Sequence, residues 1–284
     1  MKGKNVMKNK ISGKIVALLL TLIIVATSGM PLYAKETGDK ANSFRYENGQ
    51  SIAKAVPFST LSPNAWKKID GKYYSGDGSV IEGAVAKGID VSHHQGTVDW
   101  KKAKEDGVEF AIIRCGFGMN QTKQDDAQWF NNVKGCEENN IPYGVYLYSY
   151  ADTVKKAQSE AEHVLRLIKG HTLAYPVYYD IEEKAVLNKL TAEQLGKIAA
   201  TFVNKVKAEG YQTGIYSNKS NFETFLTDSQ FSQWNKWVAQ YNSAACTYKG
   251  TYQIWQGGSR YRNNRWGKWS SRYQFCHENY LIKR

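Results

Sequence analysis

The sequence predicts an α/β fold, a (β/α) barrel. Three observations predict it. From Lys87 onward, short apolar runs alternate with amphipathic stretches that end in glycine. Seven such runs follow one another, enough for a parallel barrel with right-handed crossovers. Several of them finish in acids or aromatic residues, as the working rim of a barrel does.

The elements follow in order. Residues 1–34 open with five lysines and an apolar run of 12 residues, Ile15 to Ala26, before "GMPLYA" and small Ala34. That run is short for a membrane span, and the pattern reads as a secretory signal peptide. An uncleaved anchor is the alternative, and the only membrane contact expected. Residues 35–86 are polar and irregular. Within them Asp70-Gly71 and Asp77-Gly78 flank Lys72-Tyr73-Tyr74, a hairpin signal, and a single copy reads as an arm packed on the main domain. The barrel domain is expected over 87–256. Its strands are placed at 87–92, 109–117, 142–150, 175–182, 213–218, 236–241 and 252–256. The helices between them include one that opens with a capping box, Thr191 to Gln194, and closes at Gly210.

Charge excludes one class of partner. The formal net charge is +12. Residues 1–34 contribute +5 and residues 257–284 contribute +6, which leaves +1 for 35–256. The folded body therefore carries no basic face, and nucleic acid is not an expected partner. Four cysteines (Cys115, Cys136, Cys246, Cys276) show no metal-ligand spacing, and no metal or cofactor is implied.

The chemistry concentrates in "YPVYYDIEE", residues 175–183. In a strand, Tyr178, Asp180 and Glu182 share one face. The two carboxylates then stand about 6.6 Å apart along the chain, from a rise of roughly 3.3 Å per residue. The first strand delivers Asp90 to the same rim. Strand ends also supply Tyr148, Tyr216, Trp255 and Gln256. Acids ringed by aromatics suit a sugar: aromatic faces stack on pyranose rings, and paired carboxylates do the acid–base work of glycoside cleavage. Glu183 reads as a structural residue, and His93 and His94 as loop residues.

Five stretches, "KGIDVSHHQGTVDWKKAKEDGVEFAIIRCGFG", "IPYGVYLYSYA", "YPVYYDIEE", "TGIYSN" and "WVAQYN…GTYQIWQ", resemble the family 25 glycoside hydrolases, lysozymes of the muramidase type. The resemblance covers about Lys87 to Gln256 with the motifs in the same order. It implies a flattened, irregular β/α barrel and cleavage of the β-1,4 bond between N-acetylmuramic acid and N-acetylglucosamine. It also implies Glu182 as general acid, Asp180 as its strand partner and Asp90 as a supporting carboxylate. Tyr148, Tyr216, Trp255 and Gln256 are expected to bind substrate. The implied partner is the peptidoglycan glycan strand, met outside the cell by a monomer. The alternative is a non-catalytic cell-wall glycan-binding protein on the same barrel. Sequence does not choose between retaining and inverting chemistry, because side-chain freedom spans both carboxyl separations.

The tail departs from the family. Its pattern ends in a strand like Val-Asp-x-Asn, whereas residues 257–284 contain no Asp. One permitted back-translation of Trp269 to Leu281, shifted by one base, reads Gly-Ala-Val-Asp-Ile-Asn-Phe-Ala-Met-Lys-Thr-Ile. Its Asp falls across the codons of Arg272 and Tyr273. The expectation is a frameshifted tail, a barrel without its closing strand, and impaired activity.

Overall fold

The computed structural model describes residues 62–64, 66–240 and 245–257 with their side chains, and 46–47, 50–51, 258–264 and 267–277 as backbone. The signal peptide expected over 1–34 lies outside the described residues. Along the chain the elements are β1 (Tyr46–Glu47), β2 (Gln50–Ser51), β3 (Lys68–Ile69), β4 (Lys72–Tyr73), β5 (Ala84–Val91), α1 (Trp100–Glu105), β6 (Phe110–Phe117), α2 (Trp129–Glu138), β7 (Tyr143–Tyr148), α3 (Val154–Ile168), β8 (Val177–Asp180) and α4 (Lys184–Leu187). There follow α5 (Ala192–Ala208), β9 (Thr213–Asn218), α6 (Lys219–Thr224), β10 (Asn235–Ala239), β11 (Ile254–Asn264) and β12 (Gly267–His277).

The strands form a closed barrel in which β5 to β11 are successive parallel neighbours. β12 lies between β11 and β5, antiparallel to both. This corrects the expectation of a missing closing strand. The 257–284 segment lacks an apolar run, but strand pairing needs only backbone donors and acceptors, and both neighbours offer free edges for it.

Alternation along each strand makes two cores. Outward residues such as Ile113, Val145, Leu147 and Tyr179 pack under the helices with Trp129, Val164, Phe202 and Val206. Inward residues form an aromatic column of Phe110, Ile112, Tyr146, Tyr178, Tyr216 and Trp237. β6 to β8 are therefore buried almost throughout, as parallel strands covered on both faces must be. Glycine makes room for the column. A Cβ on Gly88 would come within 2.6 Å of the Phe110 ring, and one on Gly214 within 2.5 Å of the Tyr178 ring.

Helix ends follow local chemistry. The Thr191–Gln194 capping box is formed at the start of α5, and Thr153 accepts from Lys156 N at the start of α3. In the arm, β3 and β4 make the hairpin expected at Asp70-Gly71, where both residues take positive φ (49° and 77°) as a tight hairpin turn demands. Trp66, Tyr73 and Ile81 bury themselves with Trp255. Glu109 at the barrel base ties the arm down, accepting from Tyr73 OH (2.7 Å), Lys87 N (2.8 Å) and Lys68 Nζ (2.6 Å).

Candidate active site

Asp180 is the last residue of β8. Its strand neighbours at the same level are Tyr148 on β7 and Tyr216 on β9. The backbone stays anchored beyond the strand end: Ile181 N donates to Tyr216 O (3.0 Å) and Ser217 Oγ donates to Ile181 O (2.7 Å). Glu182 is thus carried to the rim as a buried residue, 3% exposed. Glu183 then turns the chain into α4, capping it through Ala185 N (3.4 Å) and accepting from Tyr148 OH (3.0 Å).

The Tyr148 phenol lies beside two of the acids: Glu183 accepts from it, and Asp180 is level with Tyr148 on the next strand. It is pushed far above its ordinary range by burial, then by the negative charges of Glu182, Asp180 and Glu183. All three carboxylates therefore act electrostatically on one hydroxyl.

Asp90 reaches the cluster from β5. It is 1% exposed and points into the barrel, where Gln256 Nε2 donates to its Oδ2 (2.7 Å). Gln256 Oε1 in turn accepts from Tyr216 OH (2.8 Å), and Tyr216 stands beside Asp180. One run of contacts, Asp90–Gln256–Tyr216, spans from the first barrel strand to the fourth strand's neighbour. The structure brings the three predicted acids to one end of one barrel. Burying several carboxylates is expensive unless hydrogen bonds or function compensate.

The substrate-binding expectations need correction. Tyr148 and Tyr216 are each 1% exposed and Gln256 is fully buried, so no sugar ring can stack on the two tyrosines. Their polar ends instead hold Glu183 and Asp90. Trp255 is not at the site. The residue next to inward-facing Gln256 must point outward, and Trp255 packs against Trp66 of the arm with its Nε1 donating to Gln240 O (2.9 Å).

Sequence reasoning placed Tyr150 at a strand end without giving it a role, and it missed Phe117, Arg114 and Asp126. Tyr150 and Phe117 are half-buried and meet edge to face at 6.3 Å, which leaves aromatic surface at the mouth. Burial, then the Glu183 charge, pushes the Tyr150 phenol up to about 12. Tyr150 belonged to the expected strand end, but the strand stops two residues earlier. Buried Arg114 donates through Nε to Asp126 Oδ2 (2.7 Å), and His93 N bonds the same oxygen (3.0 Å). Burial works against the Asp126 carboxylate, but the His93 bonds and the Arg114 charge outweigh it and lower its pKa to about 2. His93 and His94 sit in a 3-10 turn, Ser92-capped, which agrees with the loop reading. Arg114 and Asp126 stand 12 residues apart, and nothing in the pattern marks them as partners.

A pocket of about 230 Å³ opens between α4 and α6, and Glu182 forms part of its wall. The residue borders this pocket, while both of its carboxylate oxygens are buried. A closed barrel of parallel strands, with carboxylates from β5 and β8 at the strands' C-terminal ends and aromatic surface beside them, has the makeup of a glycoside hydrolase.

The chain belongs to Glycosyl hydrolases family 25, whose profile matches residues 89–266. It is similar to the autolytic lysozyme of Clostridium acetobutylicum, with 26% identity over 166 residues, 58% of this chain and 48% of that protein. Among solved structures it is similar to the modular autolysin LytC from Streptococcus pneumoniae (TM-score 0.62, 28% identity, 74% of this chain and 51% of that one). It also matches the catalytic domain of endolysin ply40 from bacteriophage P40 of Listeria monocytogenes in fold (TM-score 0.58, 23% identity, 70% of this chain and 96% of that one). The chain spans about half the length of the autolytic lysozyme and of LytC.

Proposed function

We propose that this protein is a secreted peptidoglycan hydrolase, acting as a monomer at the cell wall. It cleaves the β-1,4 bond between N-acetylmuramic acid and N-acetylglucosamine. The carrying observation is the assembly of Asp90, Asp180 and Glu182 at one barrel end, with Glu182 lining an open pocket. A structure of LytC was solved in complex with a synthetic peptidoglycan ligand, which supports the substrate class.

In this reading Glu182 gives its proton to the glycosidic oxygen as the C1–O bond breaks. Asp180, on the same strand, steadies positive charge at the anomeric carbon or orients the substrate's own N-acetyl group. Water completes the hydrolysis and returns the proton. Asp90 is fixed by Gln256 and supports the charge balance of the cleft. Digestion of purified peptidoglycan and of chitin tests this. The expected product is a new reducing end on muramic acid, released from peptidoglycan and not from chitin. Release from neither would overturn the enzymatic reading in favour of a non-catalytic glycan binder.

The tail bears on how fast the chain turns over. Residue 272 of β12 stands opposite Asp90 of β5. In the shifted frame the Asp falls across the codons of residues 272 and 273, which sets it on the strand next to Asp90. Arg at position 272 replaces that carboxylate, so activity is lower than in a frame-restored chain. Turbidity loss of cell-wall suspensions by the two chains tests this, and equal rates would refute it.

A further inference from the structure

The pocket beside Glu182 has a composition the glycan strand itself does not call for. Its floor is apolar, from Leu187 and Phe225. Asn188 and, from α6, Ser220, Asn221 and Thr224 add polar groups to the lining, with the exposed Lys184 of α4 beside them. This lining is firmly held. Asn218 caps α6 through Asn221 N (2.9 Å), and Asn221 Nδ2 donates to Ser217 Oγ (3.0 Å), which also holds the backbone leading to Glu182. Thr224 Oγ1 donates to Ser220 O (2.6 Å), which leaves its lone pairs for an incoming N–H.

Size and lining together narrow the occupant. At about 230 Å³ the pocket is smaller than the roughly 300–1,000 Å³ that enclose a whole drug-sized ligand. It suits a branch rather than a chain of sugars. Phe225 is its one aromatic lining residue, so it offers little platform for a pyranose, whereas Phe117 and Tyr150 provide one elsewhere on the rim. Small hydroxyl and amide side chains over an apolar floor match peptide N–H and C=O groups with short side chains. The Lys184 ammonium matches a carboxylate.

We propose that the pocket between α4 and α6 is a subsite for the peptide substituent carried by the sugar at the cleaved bond, its amides read by Ser220, Asn221 and Thr224 and its carboxylate by Lys184. This rests on the peptidoglycan reading above and deepens it. The glycan lies along the barrel mouth, and the branch drops beside Glu182. Occupying the pocket then fixes which bond meets the general acid.

The test is binding, measured by titration calorimetry on the full chain carrying Glu182→Gln, so that no turnover intervenes. The probes are a disaccharide bearing a peptide and the same disaccharide without it. One charge-assisted hydrogen bond alone predicts a preference of about tenfold or more for the peptide-bearing probe. Thr224→Trp, which fills the pocket from an exposed helix end, should bring the ratio near one. Lys184→Glu should do so through charge. Equal affinities in the parent, or a preference that survives both substitutions, would overturn the proposal. If the chain degrades no peptidoglycan, the proposed function fails, yet the binding ratio still decides the subsite.

Discussion

Replacing Gln256 with leucine isolates the device that holds Asp90. The two side chains have similar volume, so the barrel interior stays filled while two hydrogen bonds go: Gln256 Nε2 to Asp90 Oδ2 (2.7 Å) and Tyr216 OH to Gln256 Oε1 (2.8 Å). A bond to a charged group contributes about 1.5–3 kcal/mol and a neutral one about 1 kcal/mol. Gln256→Leu should therefore cost about 3 kcal/mol of stability in urea denaturation. The sharper readout is a double-mutant cycle with Asp90→Asn. If the Gln256–Asp90 bond is as direct as its geometry, the coupling should approach about 2 kcal/mol. The same variant should slow peptidoglycan cleavage, because a loosened Asp90 no longer supports the cleft. Additivity of the two substitutions within about 0.5 kcal/mol would refute the linkage.

Further outcomes follow from the burial pattern. Fully buried Glu160 accepts from Tyr179 OH, Ser149 Oγ (2.8 Å) and Tyr150 N (2.9 Å), and burial raises its pKa from 4.5 to about 7 in spite of those bonds. The folded chain then holds a proton that the unfolded chain releases, so the contribution of Glu160 is fully present below about pH 4.5 and falls by about 3 kcal/mol as pH rises through 7. Melting temperature followed over this range should show that slope, and Glu160→Gln should flatten it; an unchanged slope would remove the assignment. Trp255→Ala should cost about 3–5 kcal/mol, because it empties the cluster under the arm. A Trp255→Ala variant that keeps its stability and loses glycan binding would restore Trp255 to the site.

Much of this was legible in the sequence, for physical reasons. The seven parallel strands are short apolar runs bounded by helices with recognisable ends, and Thr191–Gln194 forms the box its spacing promises. Asp90, Asp180 and Glu182 were singled out because acids closing apolar strands stand out against the cost of burying them. The aromatic assignments fared worse. Position at a strand end does not say whether a ring faces the cleft, the barrel column or the outer face. Period two alone separates Trp255 from Gln256. Tyr148 and Tyr216 face inward and are sealed by their neighbours, which only packing decides. β12 was invisible because its pairing is a property of the edges it meets. Arg114 and Asp126 were missed because their partnership is purely spatial.

The most direct test of the central claim is the rate of reducing-end release from purified peptidoglycan by Glu182→Gln, made both in this chain and in its frame-restored form. A general acid contributes about 10²–10⁴-fold, so release should fall by that factor while binding to the wall persists. Release at the parental rate by Glu182→Gln, or none from either parent chain, would contradict the assignment of Glu182 as the proton donor.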